Sequence, residues 1–164
     1  MRGHDEGIET ELRNWLSDAS VIVVAGIGNA IRCDDYVGVR VVEDLRGRTS
    51  QAVHLIECET VPESFVDEIV SIQPSHVLLI DAAVLGLSPG TAHLYEVEEV
   101  ADVPSISTHT LPLRVFSDYV GMLTGARIAL LLIEPKCLDF GDVMSEVVEE
   151  AATRVENALL SYLP

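Results

Sequence analysis

Lysine is almost missing from this chain. Lys136 stands beside nine arginines, and these ten bases face 27 acids, for a net charge of −17. Nucleic-acid binding rests on neutralising phosphates with clustered bases, so the composition excludes that class. An anionic membrane surface is repelled for the same reason, whereas a basic protein or peptide is attracted. Cysteine is scarce and odd in number. Cys33, Cys58 and Cys137 form no CxxC pair, which excludes a disulfide framework and a zinc ribbon and fits free thiols in a reducing cytosol. Long apolar runs are absent too: the longest, Ile128 to Ile133, is far short of a membrane span. The opening MRGHDEGIETELRNWLSD is too charged for a signal peptide. The expectation is a cytoplasmic protein without membrane insertion.

Aromatics make up only 5%, yet apolar residues reach 48% of the 164 residues, too many for intrinsic disorder despite the charge. The length suits one domain, residues 1–164, with a real core. Short β-branched runs read as buried strands at Val21–Ala25, Val53–Glu57, His76–Asp81 and Arg127–Ile133. Amphipathic stretches alternate with them. Ile8, Leu12, Trp15 and Leu16 share one face of a first helix, and Val37, Val41 and Leu45 one face of a second. A third runs from Pro62 to Ile72, with proline in its first turn. A fourth spans Pro112 to Leu123 with Gly125 as its cap, and the last runs from Met144 to Leu163.

Ala92–Val97 also reads as a strand, but only a short connection around Ser88-Pro89-Gly90 separates it from the strand before. A parallel crossover needs a dozen residues or more, so this strand is expected to be antiparallel at a sheet edge. The pattern predicts a three-layer α/β sandwich. Its sheet is five-stranded, twisted and mostly parallel, with helices on both faces. In such sheets ligands bind beyond the carboxyl ends of the strands where strand order reverses, here between the first and third.

That rule selects the residues to inspect. GIGNAIRCDDYVG follows the first strand, Asp81 ends the third, and His109 lies in PSISTHTLPL before the fourth helix. Asp34, Asp35, Asp81 and His109 are therefore expected on one rim. Two carboxylates and an imidazole suit a divalent metal such as zinc or nickel, with positions left open for water or substrate. Each residue also has a purely structural use. Asp34 reads best as the N-cap of the second helix. Asp35 divides evenly between helix-dipole partner and ligand. His109 divides between ligand and surface histidine. Asp81 interrupts the apolar run VLLIDAAV, where a carboxylate is costly unless paired or metal-bound.

Other chemistries fit less well. Gly26-Ile27-Gly28 lacks the third glycine of a dinucleotide fingerprint, since Ile31 stands there, and no Walker lysine follows. No GxSxG elbow occurs. Cys33 beside Asp34, and Cys58 between Glu57 and Glu59, are expected to be poor thiolates.

These residues carry a resemblance. VVAGIGNAIRCDDYVGVRVVEDL resembles the opening of the NiFe-hydrogenase maturation endopeptidases (HycI/HybD-like), with Gly26, Gly28, Asn29, Asp34, Asp35 and Gly38 in register. SHVLLIDAAVLGLSPG and STHTLPL are similar to that family's strand-aspartate segment and histidine loop. The match runs from Val21 to the final helix and leaves residues 1–18 outside it. Asp rather than Glu at position 35 looks closer to the HycI type. Glu59 departs from the family, standing where glycine is common.

The resemblance implies an aspartic-type endopeptidase. It would remove a C-terminal extension from a nickel-loaded hydrogenase large-subunit precursor, its partner. It implies Asp35, Asp81 and His109 as catalytic and metal-contacting residues, and Gly28, Asn29 and Asp34 as substrate contacts. The cofactor is nickel carried by the substrate, with zinc or another divalent metal as its substitute. Two further readings stand beside it: a nucleotide- or small-molecule-binding α/β enzyme using GIGN as an anion loop, and a non-catalytic metal-binding chaperone.

Overall fold

A computed structural model of the chain describes residues 5–102 and 110–164. The elements alternate as the hydrophobic pattern predicts. They are α1 (Asp5–Trp15), β1 (Ile22–Ile27), α2 (Val37–Leu45), β2 (Val53–Glu59), α3 (Val66–Ile72), β3 (His76–Ala82), β4 (Ala92–Glu96), α4 (Thr110–Thr124), β5 (Arg127–Ile133) and α5 (Glu146–Tyr162). The sheet order is β2-β1-β3-β5-β4. Strands β2, β1, β3 and β5 are parallel, and β4 lies antiparallel on β5 at the edge. Order reverses between β1 and β3, as expected.

Alternation along each strand divides the core. Ile22, Val24, Leu78, Ile80, Leu131 and Ile133 face α1, α2 and α5. Val23, Ala25, Val77, Leu79, Leu130 and Leu132 face α3 and α4. Every residue of β1 and β3 is buried, because helices cover both faces. Asp81 shares the parity of Val77 and Leu79, so its side chain is carried to the α3–α4 side.

Some boundaries move. The helix expected from Pro62 begins as a 3₁₀ turn over Pro62–Phe65 before turning α-helical. Gly125 closes α4 as expected, at φ 70° and with its N–H donating to the carbonyl of Gly121 at 2.8 Å. Helix α1, outside the family resemblance, extends the core: Ile8, Leu12, Trp15 and Leu16 are all buried in the α1–α2–α5 face. No helix among the described residues is long and apolar enough to cross a membrane.

The rim opposite the strand carboxyl ends holds a pH-sensitive contact. His76 is buried, its ring 4.8 Å from Trp15 in an edge-on arrangement. Its Nδ1 lies 2.9 Å from the Ser75 hydroxyl and its Nε2 3.3 Å from Asp18. Burial pushes the imidazole below its usual 6.5, and the Asp18 carboxylate only partly opposes this. The unfolded chain therefore binds the proton more readily. The stability held by neutral His76 is fully present above pH 6.5 and is lost as pH falls through the lower folded value. A His76→Phe variant is expected to lose less melting temperature than wild type between pH 7 and pH 5, followed by circular dichroism. Equal slopes would remove His76 from the account.

Candidate active site

The site begins with close backbone packing at the end of β1. Asp34 and Asp35 lie in a 3₁₀ turn, Cys33–Tyr36, that leads directly into α2. A Cβ at Gly26 would collide with the backbone of Gly38 and Val39. One at Gly28 would meet the Asp35 carbonyl, and one at Gly38 the carbonyls of Ile80 and Ile27. The three glycines thus let the turn and the start of α2 lie directly on β1 and β3. In this structure their bare backbone faces the chain itself, which explains a GxG without a phosphate-binding fingerprint.

This packing brings Asp35 and Asp81 to one cavity of about 200 Å³ at the switch point between β1 and β3. Ile27, Gly28, Thr60, Pro62, Glu63 and Leu113 complete its wall. One oxygen of Asp35 accepts the Asn29 N–H at 3.1 Å, and Asn29 Oδ1 accepts the Ile31 N–H at 3.1 Å. Asp81 is 4% exposed, and its Oδ1 accepts the N–H of its neighbour Ala82 at 2.8 Å. Burial, followed by the negative charge of Asp35, pushes the Asp81 carboxyl well above the usual carboxylate range. A buried carboxylate beside a second one is a poor structural choice and a good cation ligand. His109 lies outside the described residues, four positions before the cavity-lining Leu113 in sequence. Among the described residues, no three His, Cys, Asp or Glu side chains group to hold a metal ion.

Asp34 requires a correction. It is not the N-cap of α2. That position is Tyr36, and no side chain caps the helix. The Asp34 carboxylate turns instead to the segment between β5 and α5. Oδ2 accepts the N–H groups of Lys136 and Cys137, both at 2.8 Å, and the Ser145 hydroxyl at 2.9 Å. Oδ1 accepts the Ser145 N–H at 2.7 Å. Asp34 is fully buried, so it presents no oxygen to a substrate in this conformation. Its sequence neighbour faces the cavity while Asp34 locks the turn from behind.

Burial and neighbouring groups favour the protonated form of Cys33 and Cys58, partly through residues distant in sequence. Cys58 is pushed up to about 12, chiefly by burial and then by Glu68 and Glu63, not by its sequence neighbours. Cys33 is pushed up to about 11, first by its contact with the Cys137 thiol. Sequence reasoning missed Thr60 and Glu63 as cavity residues. The available signal was their place just past the carboxyl end of β2, on the rim already chosen. It also missed Glu134, a buried carboxylate that accepts the Leu85 N–H at 2.6 Å and so holds the chain leaving Asp81.

Comparison with known proteins decides the family. The family model described as HycI, hydrogenase maturation protease, matches residues 39–162. The chain belongs to the hydrogenase maturation protease family. The protease is 33% identical over 160 residues to a Methanocaldococcus jannaschii protein bearing the hydrogenase maturation protease name, covering 93% of this chain and 94% of that one. It is 25% identical to the Escherichia coli K12 hydrogenase 3 maturation protease, over 84% of this chain and 87% of the relative. The crystal structure of the NiFe hydrogenase maturation protease HycI from Thermococcus kodakarensis superposes with a TM-score of 0.86 at 31% identity. That superposition covers 93% of this protease and 98% of its neighbour.

Glu59 explains itself on this backbone. It adopts φ 51°, the left-handed region that glycine occupies without strain. Its carbonyl accepts the Gly28 N–H at 2.7 Å where the β1–β2 register shifts, so the conformation is fixed by the ladder. Its side chain is exposed. Glu59→Gly is expected to stabilise the protease by about 0.5–1 kcal/mol, the relieved strain exceeding glycine's entropy cost. Urea denaturation would read this as a higher midpoint at unchanged slope. A lower midpoint would mean the carboxylate contributes more than the strain costs.

Proposed function

We propose that this protease removes a C-terminal extension from a hydrogenase large-subunit precursor after nickel has been inserted. In this reading it recognises the substrate's nickel through Asp35, Asp81 and His109. The observation that carries the reading is the Asp35–Asp81 pair on one cavity, with Asp81 buried beside the second carboxylate. A substrate-borne nickel entering the cavity supplies a cation, so an unloaded precursor gains nothing from the pair. The two carboxylates and the imidazole would also orient the loaded precursor so that its scissile peptide meets a polarised water. Nickel in this scheme is part of the substrate, and zinc or another divalent ion in the precursor is the natural substitution to try.

The test is cleavage of purified precursor, nickel-loaded and nickel-free, followed by gel shift. Wild type is expected to cut only the loaded form. Asp35→Ala and His109→Ala are each expected to slow cleavage roughly a hundredfold or more, the loss of several kcal/mol of metal-directed positioning. Equal cutting of both precursor forms, or normal cutting by Asp35→Ala, would defeat the proposal. Tight nickel binding by the wild type without any cutting would favour the chaperone reading.

A further inference from the structure

Ten large apolar side chains are exposed among the described residues, four of them on α4, and Phe140, one of only three phenylalanines in the chain, is almost fully exposed in the loop after β5. Phe140 is 84% exposed, Ile31 60% and Val143 75%. These are not scattered. The loop after β1 and the loop after β5 are joined by a parallel bridge between Arg32 and Gly141. The Gly141 N–H donates to the Ile31 carbonyl at 2.9 Å, and the Cys33 N–H donates to the Gly141 carbonyl at 2.9 Å. In that register Ile31 and Phe140 occupy opposite positions on neighbouring backbones. The Arg32 Nε–H donates to the Leu138 carbonyl at 3.2 Å and braces the same junction.

The pair is tied to the candidate site. Ile31 donates its N–H to Asn29, and Asn29 donates its N–H to Asp35. A partner resting on Ile31 and Phe140 therefore bears on the loop that sets an Asp35 oxygen. A second copy of this chain is a poor occupant, because two molecules of charge −17 repel. Exposed Asp139 and Asp142 flank Phe140, so the fitting partner is apolar where it touches the pair and basic around it.

We infer that Ile31 and Phe140 form a docking platform for an apolar segment of the hydrogenase large-subunit precursor next to its scissile bond. This inference rests on the function proposed above. The platform holds the precursor while Asp35 and Asp81 meet its nickel, so it governs binding rather than the cleavage step. Both side chains are exposed, and truncating them leaves the core untouched.

The experiment measures precursor affinity by interferometry and cleavage kinetics with nickel-loaded precursor. The proteins are wild type, Ile31→Ala/Phe140→Ala, Phe140→Tyr, and Met122→Ala as a control on the 84% exposed Met122 of α4. The double variant is expected to bind about tenfold or more weakly and to raise KM in step, with kcat within about twofold. Phe140→Tyr should restore most of the affinity, and Met122→Ala should change nothing. Unaltered KM and affinity in the double variant overturn the platform while leaving the protease assignment intact. Weakening by Met122→Ala instead overturns it in favour of α4. Wild-type dimerisation abolished by the double variant overturns it in favour of self-association. A wild type that neither binds nor cuts the precursor overturns the proposed function and the platform together.

Discussion

Asp81→Asn is expected to abolish processing and, at the same time, to stabilise the fold. Among the described residues the buried carboxylate has one hydrogen bond, from Ala82, and a like-charged neighbour in Asp35. Its folded pKa is raised, so the uncharged form suits the folded state better. The resulting penalty is absent below the usual carboxylate value near 3.8. It grows as pH rises through the raised folded value and stays constant above it. Asparagine retains an oxygen for the Ala82 N–H and carries no charge. At neutral pH the variant should gain about 1–3 kcal/mol, or roughly 3–10 °C in Tm. At pH 4 the advantage should shrink, and calorimetry across that range is the check. Cleavage should fall roughly a hundredfold or more, because a neutral amide is a weak cation ligand. A variant that is both inactive and destabilised would make Asp81 a structural residue. A variant that is active would remove it from the site.

Asp34→Ala is expected to be the most destabilising single change at the site, for a reason unrelated to catalysis. Its carboxylate, itself fully buried, satisfies the N–H groups of Lys136, Cys137 and Ser145 together with the Ser145 hydroxyl, in part-buried bonds. Alanine leaves three backbone donors without that acceptor. An unsatisfied buried donor costs about 1–3 kcal/mol, and water reaches these part-buried ones in part, so a loss of about 3–5 kcal/mol is expected for the three together. That is a large share of the roughly 5–15 kcal/mol that holds a domain together. Asp34→Asn can turn its amide toward Ser145 alone and should lose only about 1–3 kcal/mol. The order wild type, Asn, Ala in urea midpoint is the signature of a clamp. Unchanged stability in both variants, with weakened precursor binding, would return Asp34 to the substrate-contacting role its motif implied.

The adjacent pair Asp34–Asp35 shows where reading a sequence stops. Two aspartates after a glycine loop and before a helix identify the rim, since strand and helix lengths dictate which chain ends lie there. They do not say which carboxylate faces inward. That depends on the turn geometry at Cys33–Tyr36 and on the segment 134–145, which returns more than a hundred residues later to supply donors to Asp34. Thr60 and Glu63 lie on the rim that the strand ends select, but which residues of that rim wall the cavity is decided by neighbours in space.

The sequence by itself determined the alternation of strands and helices, the antiparallel edge strand, the burial of Asp81 and the likeness to the maturation proteases. Each follows from local periodicity, loop length or motif, which are properties of consecutive residues. Only the tertiary structure decided that Gly26, Gly28 and Gly38 serve close backbone contact, that Asp34 is a clamp while Asp35 meets Asp81, and that Ile31 stands opposite Phe140. Those facts depend on side-chain direction and on contacts between segments far apart in the chain, and no local pattern encodes them.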